Sequence, residues 1–266
     1  MASEPLRDPA VGQALVRALL ERAGHARIEV VSLTDEELAL LDGPGADHVA
    51  PLPWFDTVPP EQRDTALAVA ARNLVVRGLA LPAFPHESTG SVSVALPDDV
   101  HAVLAARRAA STVLIAQRRT AEASATRVLY VQGDDGVVEE HVTSGGLHTF
   151  TAGSPEAALR ELTGFVDPDG AATHDGIPVE LELSDVASGA VAAGPLAESR
   201  YVTVVWVTTL GPAGEPVERR LSLYALPERL DIAEPLADRA VLAVRAVGPG
   251  SLLNALRQTL CGSDAA

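Results

Sequence analysis

The sequence predicts an α+β fold: a central, largely antiparallel sheet with helices at the N-terminus and after each sheet segment. Three observations carry this. Alternating-apolar segments separated by turn residues run into a Pro-started helix at Thr126–Val131, Gly133-Asp134-Asp135-Gly136, Val137–Thr143, Leu147–Thr151 and Ser154-Pro155. The same order returns at Tyr201–Leu210, Gly211-Pro212-Ala213-Gly214, Val217–Ala225, Ala240–Ala246 and Gly248-Pro249. The first 96 residues read mainly as helices. The doubled unit implies two lobes and a pseudo-two-fold arrangement.

Pro9 opens the first helix, with Val11, Ala14, Leu15, Ala18 and Leu19 as its apolar stripe and Gly24 as its stop. Arg27–Val31 is extended. Thr34-Asp35-Glu36-Glu37 fits a capping box, in which the Thr34 hydroxyl and the Glu37 carboxylate satisfy each other's free backbone donors. Leu38, Leu40 and Leu41 follow, and Asp42-Gly43-Pro44-Gly45 stops that helix. Pro51-Leu52-Pro53-Trp54-Phe55 reads as a loop that plugs a space between helices. Pro59-Pro60-Glu61 opens a longer helix with Leu67, Ala70, Ala71 and Leu74 on one face, capped by Gly78.

Leu81–Ser91 reads as a joining loop. Pro97-Asp98-Asp99 starts a helix with acids at the positive end of its dipole, and Val100, Val103 and Leu104 share one face. Thr112–Gln117 is the first strand of the first unit. Phe165–Arg200 is loop-rich, with Val179–Leu183 its single strand and Val186–Leu196 a candidate mobile loop. Tyr201–Leu210 is apolar on both faces, which predicts a central strand covered on both sides. Val217–Ala225, with Arg220 and Ser222, predicts a neighbour with one wet face. The organisation expected is 1–96 helical, 97–166 a helix-sheet-helix unit, 167–200 a connector and 201–266 a second sheet-helix unit, packed as one two-lobed domain.

Aligning Pro155 with Pro249 pairs Ala152 with Ala246, Leu159 with Leu253 and Leu162 with Leu256. The turns fit less well. Gly136 and Pro155 are 19 residues apart, whereas Gly214 and Pro249 are 35 apart, so the second unit needs about one more hairpin.

Composition excludes several chemistries. All 20 basic residues are arginines, so no lysine is present for a Schiff base, a P-loop or a kinase site. A formal net charge of −16 opposes DNA and anionic membranes unless a local basic patch overrides it. Arg107, Arg108, Arg118, Arg119 and Arg127 form the richest such cluster, read as solvated helix-end and strand-edge residues. The single cysteine, Cys261, leaves no disulfide framework and reads as a small residue on a terminal helix. The N-terminal Met-Ala-Ser-Glu-Pro-Leu-Arg-Asp-Pro lacks a signal-peptide pattern, and no apolar run reaches a membrane span, which sets a cytoplasmic expectation.

No catalytic, cofactor-binding or metal-binding residue is assigned. His141 and His148 flank Gly145-Gly146, and with Glu139 and Glu140 they allow a two-His, one-carboxylate site; alternating polar residues on a solvated hairpin face is the reading preferred. Asp167-Pro168-Asp169-Gly170 begins like a calcium loop but has Pro178 where the bidentate Glu belongs. Asp134-Asp135 reads as hairpin-turn chemistry. No nucleophile elbow, zincin motif or dinucleotide fingerprint is present.

Five stretches together resemble the EspG family, cytosolic chaperones of actinobacterial type VII secretion. They are Leu33-Thr34-Asp35-Glu36-Glu37-Leu38-Ala39-Leu40-Leu41, the Ala71–Leu79 helix end with Arg77-Gly78-Leu79, the Pro97–Ala110 helix, and the Ser154-Pro155 and Gly248-Pro249 helix starts. The family's C-terminal Gly-Arg-Tyr strand start is replaced here by Asp238-Arg239-Ala240. The resemblance implies a pseudo-two-fold sheet fold without catalytic residues or cofactors. It also implies a non-enzymatic protein-binding role, as chaperone or adaptor for a secreted helical partner.

The alternative is a winged-helix regulator built on helices 34–41 and 61–77 with a sheet sensor. Arg63, Arg72 and Arg77 are its only basic reading residues, offset by Glu61 and Asp64, so nucleic acid is the less favoured partner. An enzyme without a recognisable motif is the third reading.

Overall fold

A computed structural model describes residues 9–43, 48–80, 95–182, 198–210, 215–236 and 241–261. Among them are six α-helices: α1 (Pro9–Ala23), α2 (Asp35–Asp42), α3 (Pro60–Val76), α4 (Asp98–Ala109), α5 (Pro155–Val166) and α6 (Pro249–Cys261). The first five strands are β1 (Ile28–Thr34), β2 (Thr112–Arg119), β3 (Ser124–Val131), β4 (Val137–Val142) and β5 (Leu147–Gly153). The other five are β6 (Val179–Glu182), β7 (Tyr201–Leu210), β8 (Pro216–Ala225), β9 (Leu230–Pro235) and β10 (Val241–Val247).

The ten strands form one antiparallel sheet in the order β1-β5-β4-β3-β2-β7-β8-β9-β10-β6. The order reads the same way from both ends. Each half has an edge strand (β1 or β6), a four-strand meander (β2–β5 or β7–β10) and a Pro-started helix (α5 or α6). The α+β class and antiparallel sheet expected from the sequence are thus present.

The doubling is real, but its register differs from the sequence alignment of turns. The β3–β4 turn (Gly133–Gly136) corresponds to the Leu226–Arg229 connection, where the Leu226 N–H donates to the Arg229 carbonyl at 2.9 Å. Residues 211–214 lie outside the described residues and in chain order match 120–123. With that pairing, Ala123 precedes Pro155 by 32 residues and Gly214 precedes Pro249 by 35, and no extra hairpin is needed.

The missing element was β9, Leu-Asp-Ile-Ala-Glu-Pro. Its two acids and its proline hide the strand pattern, yet Leu230, Asp231, Ile232 and Ala233 are all buried. Arg229 pairs with Asp231 and makes that burial tolerable.

The chain divides into two compact units, Met1–Ser111 with Leu129–Pro155 and Thr112–Val128 with Glu156–Ala266. In the first, α1 lies against α4 and α2 against α3. The α1 stripe is not the one expected: Gly12, Val16, Leu19, Leu20 and Ala23 are buried, while Val11 is exposed. Gly12 sets this rotation, because a Cβ there would stand 2.9 Å from the Ala105 Cβ. Only a glycine lets the two helices approach so closely.

The Thr34 capping box is formed in full, with both reciprocal hydrogen bonds. Pro60, Pro155 and Pro249 open their helices as expected. Leu52 and Phe55 plug the first unit, whereas Trp54 between them is exposed. The expected loops at 81–91 and 186–196 and the Asp238–Ala240 departure lie outside the described residues.

In the second unit β7 is central, between β2 and β8. Thr203, Val205 and Val207 are buried against the interior, together with Leu114, Leu221 and Leu223. The opposite face is not covered as the sequence suggested: Val202, Val204 and Trp206 are only half-buried. A strand with two apolar faces can be central while one face stays partly open to a partner.

Candidate protein interface

The residues singled out for chemistry meet in the first unit, although not as a metal site. His148 lies on β5 opposite Val142 on β4, while His141 pairs with Thr149 and so points to the other face of the hairpin. The two histidines therefore do not share a site. The solvated-face reading also fails for three of the four residues, because Glu139, Glu140 and His148 are buried. Asp35 from α2 and Arg107 from α4 cover the Glu140/His148 face.

His148 bridges two carboxylates there. Its Nδ1 is 2.6 Å from Glu140 Oε1 and its Nε2 is 2.6 Å from Asp35 Oδ1. Burial works against charge on the ring, but the bonds to Asp35 and Glu140 outweigh it and hold the pKa above the ordinary histidine value. Burial likewise disfavours the Glu140 carboxylate, and His148 and Arg107 more than offset this, so its pKa is lowered.

The network continues outward. Tyr130 donates to Glu140 Oε2 at 2.6 Å, and Arg107 lies 3.3 Å from the same oxygen and 2.5 Å from Asp42. Arg108 adds a second contact to Asp42 at 3.1 Å. Asp35 also accepts the backbone N–H groups of Trp54 and Phe55 at 2.6 and 2.9 Å. No group of three or more His, Cys, Asp or Glu among the described residues is arranged to hold a metal ion. Every charge in the network has an opposite partner, so the arrangement locks α2, α4 and the β4–β5 hairpin together.

The arginine cluster dissolves in the same way. Arg107 is buried in that network. Arg118 stacks on the Phe165 ring at 4.6 Å and donates to the Phe165 carbonyl at 2.7 Å. Arg127 lies over the same ring at 5.4 Å and 3.7 Å from Glu161. These three are structural rather than solvated, because aromatic faces and carboxylates stabilise a guanidinium taken from water. Arg108 is exposed and pairs with Asp42, and Arg119 is exposed at the end of β2.

On the helix proposed to read DNA, Arg77 binds buried Glu37, and Arg63 donates to the Val58 carbonyl while stacking on Phe55. The Asp167 carboxylate accepts the Ala171 and Ala172 N–H groups at 2.7 and 3.0 Å, so that motif is a turn. Cys261 ends α6, and its side chain lies outside the described ones.

The open feature of the second unit is the sheet face across β2, β7 and β8. Cross-strand partners share a face, so the registers Ile115–Trp206–Arg220, Gln117–Val204–Ser222 and Arg119–Val202–Tyr224 stack as three rungs. Trp206 is central, with the Arg220 guanidinium 5.7 Å from its ring. A cavity of about 550 Å³ opens on this face. Val202, Val204 and Trp206 form its apolar floor; Arg119, Arg200 and Arg220 stand in its walls. Half-open apolar side chains around an aromatic–arginine pair have the composition of protein-interface hot spots. Sequence reasoning saw the apolar run but not its opening, since period-2 patterning does not say which face is left uncovered.

No protein-family model matches the chain. No curated protein matches it either. Among solved structures, the fold is similar to the Mycobacterium tuberculosis type VII secretion system chaperone EspG5, solved in complex with a PE25-PPE41 dimer. The match covers 87% of this chain and 97% of that one, with a TM-score of 0.57 and 14% sequence identity. At that identity the likeness is one of fold. It nonetheless spans most of both chains, and the five short sequence stretches are spread along most of this one. No helix among the described residues is long and apolar enough to cross a membrane.

Proposed function

We propose that this chain is a non-enzymatic protein-binding module, a chaperone or adaptor for a secreted helical partner in a type VII secretion-like system. The observation that supports the reading most is the half-open β2-β7-β8 face centred on Trp206, set in an EspG-like sheet. An apolar face on an otherwise acidic, well-charged chain is costly to leave in water, and a partner's apolar helix tip would cover it. The ionisable groups gathered in the first unit act against one another and leave no free base or nucleophile in that network, which favours binding over catalysis. EspG5 binds a PE25-PPE41 dimer, and a dimer of that type is the partner class proposed here.

Co-expression with a panel of PE–PPE-type dimers tests this. One dimer is expected to co-purify in stoichiometric amount, and Trp206→Glu is expected to abolish that complex while leaving the chain folded by circular dichroism. Failure of every dimer, or a complex indifferent to Trp206→Glu, would overturn the reading.

A further inference from the structure

We propose that the β2-β7-β8 face selects a partner helix whose apolar anchor is flanked by carboxylates. This rests on the docking reading above and adds the chemistry of the occupant. The cavity beside Trp206 is walled by Arg119, Arg200 and Arg220, and among the described residues no acidic one lines it. That local sign is opposite to the chain as a whole, whose formal net charge is −16.

The three arginines differ in how far they are engaged. Arg200 is 3.4 Å from Asp169 and is partly neutralised. Arg119 and Arg220 are exposed, and neither has a carboxylate within ion-pair distance among the described residues. Both are held in place without losing charge. Arg119 donates to the Gln117 side-chain oxygen from Nε and Nη2 at 3.1 and 2.8 Å. Arg220 is braced on the Trp206 ring.

Arg119 opposes Val202 and Arg220 opposes Trp206, so the two guanidiniums bracket the apolar floor on β2 and β8, either side of β7. Glu218, two residues before Arg220 on the same face, lies on the next rung opposite Thr208 and is not part of the cavity. A guanidinium fork pairs with a carboxylate in two parallel hydrogen bonds. A helix that places an apolar side chain on Trp206 with Glu or Asp on either side would meet both forks. Because the whole-chain field repels acidic partners, the bracket would give register and selectivity more than raw affinity.

The experiment uses soluble helical-hairpin peptides with one common apolar tip flanked by Glu, by Gln or by Lys. A Trp54→Phe background makes tryptophan fluorescence report Trp206 alone, since the chain has two tryptophans. The Glu-flanked peptide is expected to bind about tenfold tighter than the Lys-flanked one at low salt, with the preference shrinking in high salt. In Arg119→Glu/Arg220→Glu the preference is expected to reverse; both residues are exposed, so the variant should fold, as circular dichroism would check. Equal binding of the Glu and Lys peptides, or a Lys preference in the parent, would overturn this inference and leave the docking reading standing. No change in Trp206 fluorescence with any peptide would count against both.

Discussion

Arg77 closes on Glu37, its Nη1 2.9 and 2.7 Å from the two carboxylate oxygens, while its Nη2 donates to the Ser32 carbonyl at 2.6 Å. Glu37 is fully buried, and its carboxylate also accepts from Asn73 and from the Thr34 backbone N–H. Two of the five stretches that resemble the EspG family, 33–41 and 71–79, are therefore one physical object. The helix cap of α2 is completed by the C-terminal end of α3.

Removing Arg77 leaves a buried carboxylate short of its cation. Arg77→Gln is expected to destabilise the first unit by about 2 kcal/mol, below the usual range for a broken buried pair because Asn73 and the cap N–H remain. Urea unfolding should show a lowered midpoint with an unchanged slope. Glu37→Ala should cost more, since it also removes half of the capping box.

Stability should depend on pH through His148 and Glu140. The folded His148 pKa is raised, so its contribution is complete below the unfolded value of about 6.5 and is lost as pH rises through the folded value. The folded Glu140 pKa is lowered, so its contribution is present above about 4.3 and is lost as pH falls through the folded value. Thermal melts should peak between these limits and fall on both sides. His148→Gln should lower the midpoint at pH 6 and flatten the alkaline fall. An unchanged alkaline limb would mean that the ring is neutral in the folded state.

Gly146 has φ +75°, and a Cβ there would lie 2.8 Å from the Asp35 carboxylate and 2.9 Å from the Trp54 Cβ. Its carbonyl accepts the Asp35 N–H at 3.0 Å. Gly146→Ala should therefore cost about 2 kcal/mol, from the left-handed backbone and from displacement of Asp35. Gly170→Ala is the control: φ is +67° but no atom lies within 4 Å, so about 1 kcal/mol is expected from strain alone.

Trp206→Ala should weaken partner binding by 100-fold or so, the scale of a central interface aromatic. Its effect on the melting midpoint should be smaller than that of Leu221→Ala, since Leu221 is fully buried on the opposite face. Isothermal titration with the co-purified dimer and parallel melts would separate the two effects.

The local elements were legible where a single residue fixes a terminus. Thr34 with Glu37, Pro60, Pro155, Pro249 and Gly78 each announced a helix end, and the alternation of Tyr201–Leu210 announced β7. What sequence reading missed depends on distant partners. His148 looks like a hairpin-surface residue until Asp35, 113 positions away, is seen beside it. Arg107 and Arg118 look solvated until Glu140 and Phe165 cover them. The strand β9 was hidden by Asp231, a buried acid made tolerable by its neighbour Arg229. The open face of β7 was hidden because apolar alternation is the same whether helix, loop or partner covers it.

The most direct measurement places a photo-crosslinking amino acid at Ser222, between Arg220 and Tyr224 on the open face, in cells that make the protein. A control carries it at exposed Arg160 on α5. Ser222 is predicted to capture one helical PE–PPE-type dimer in stoichiometric yield, and Arg160 to capture none. Crosslinking to no such dimer at Ser222, or equal capture at both positions, would contradict docking on the Trp206 face.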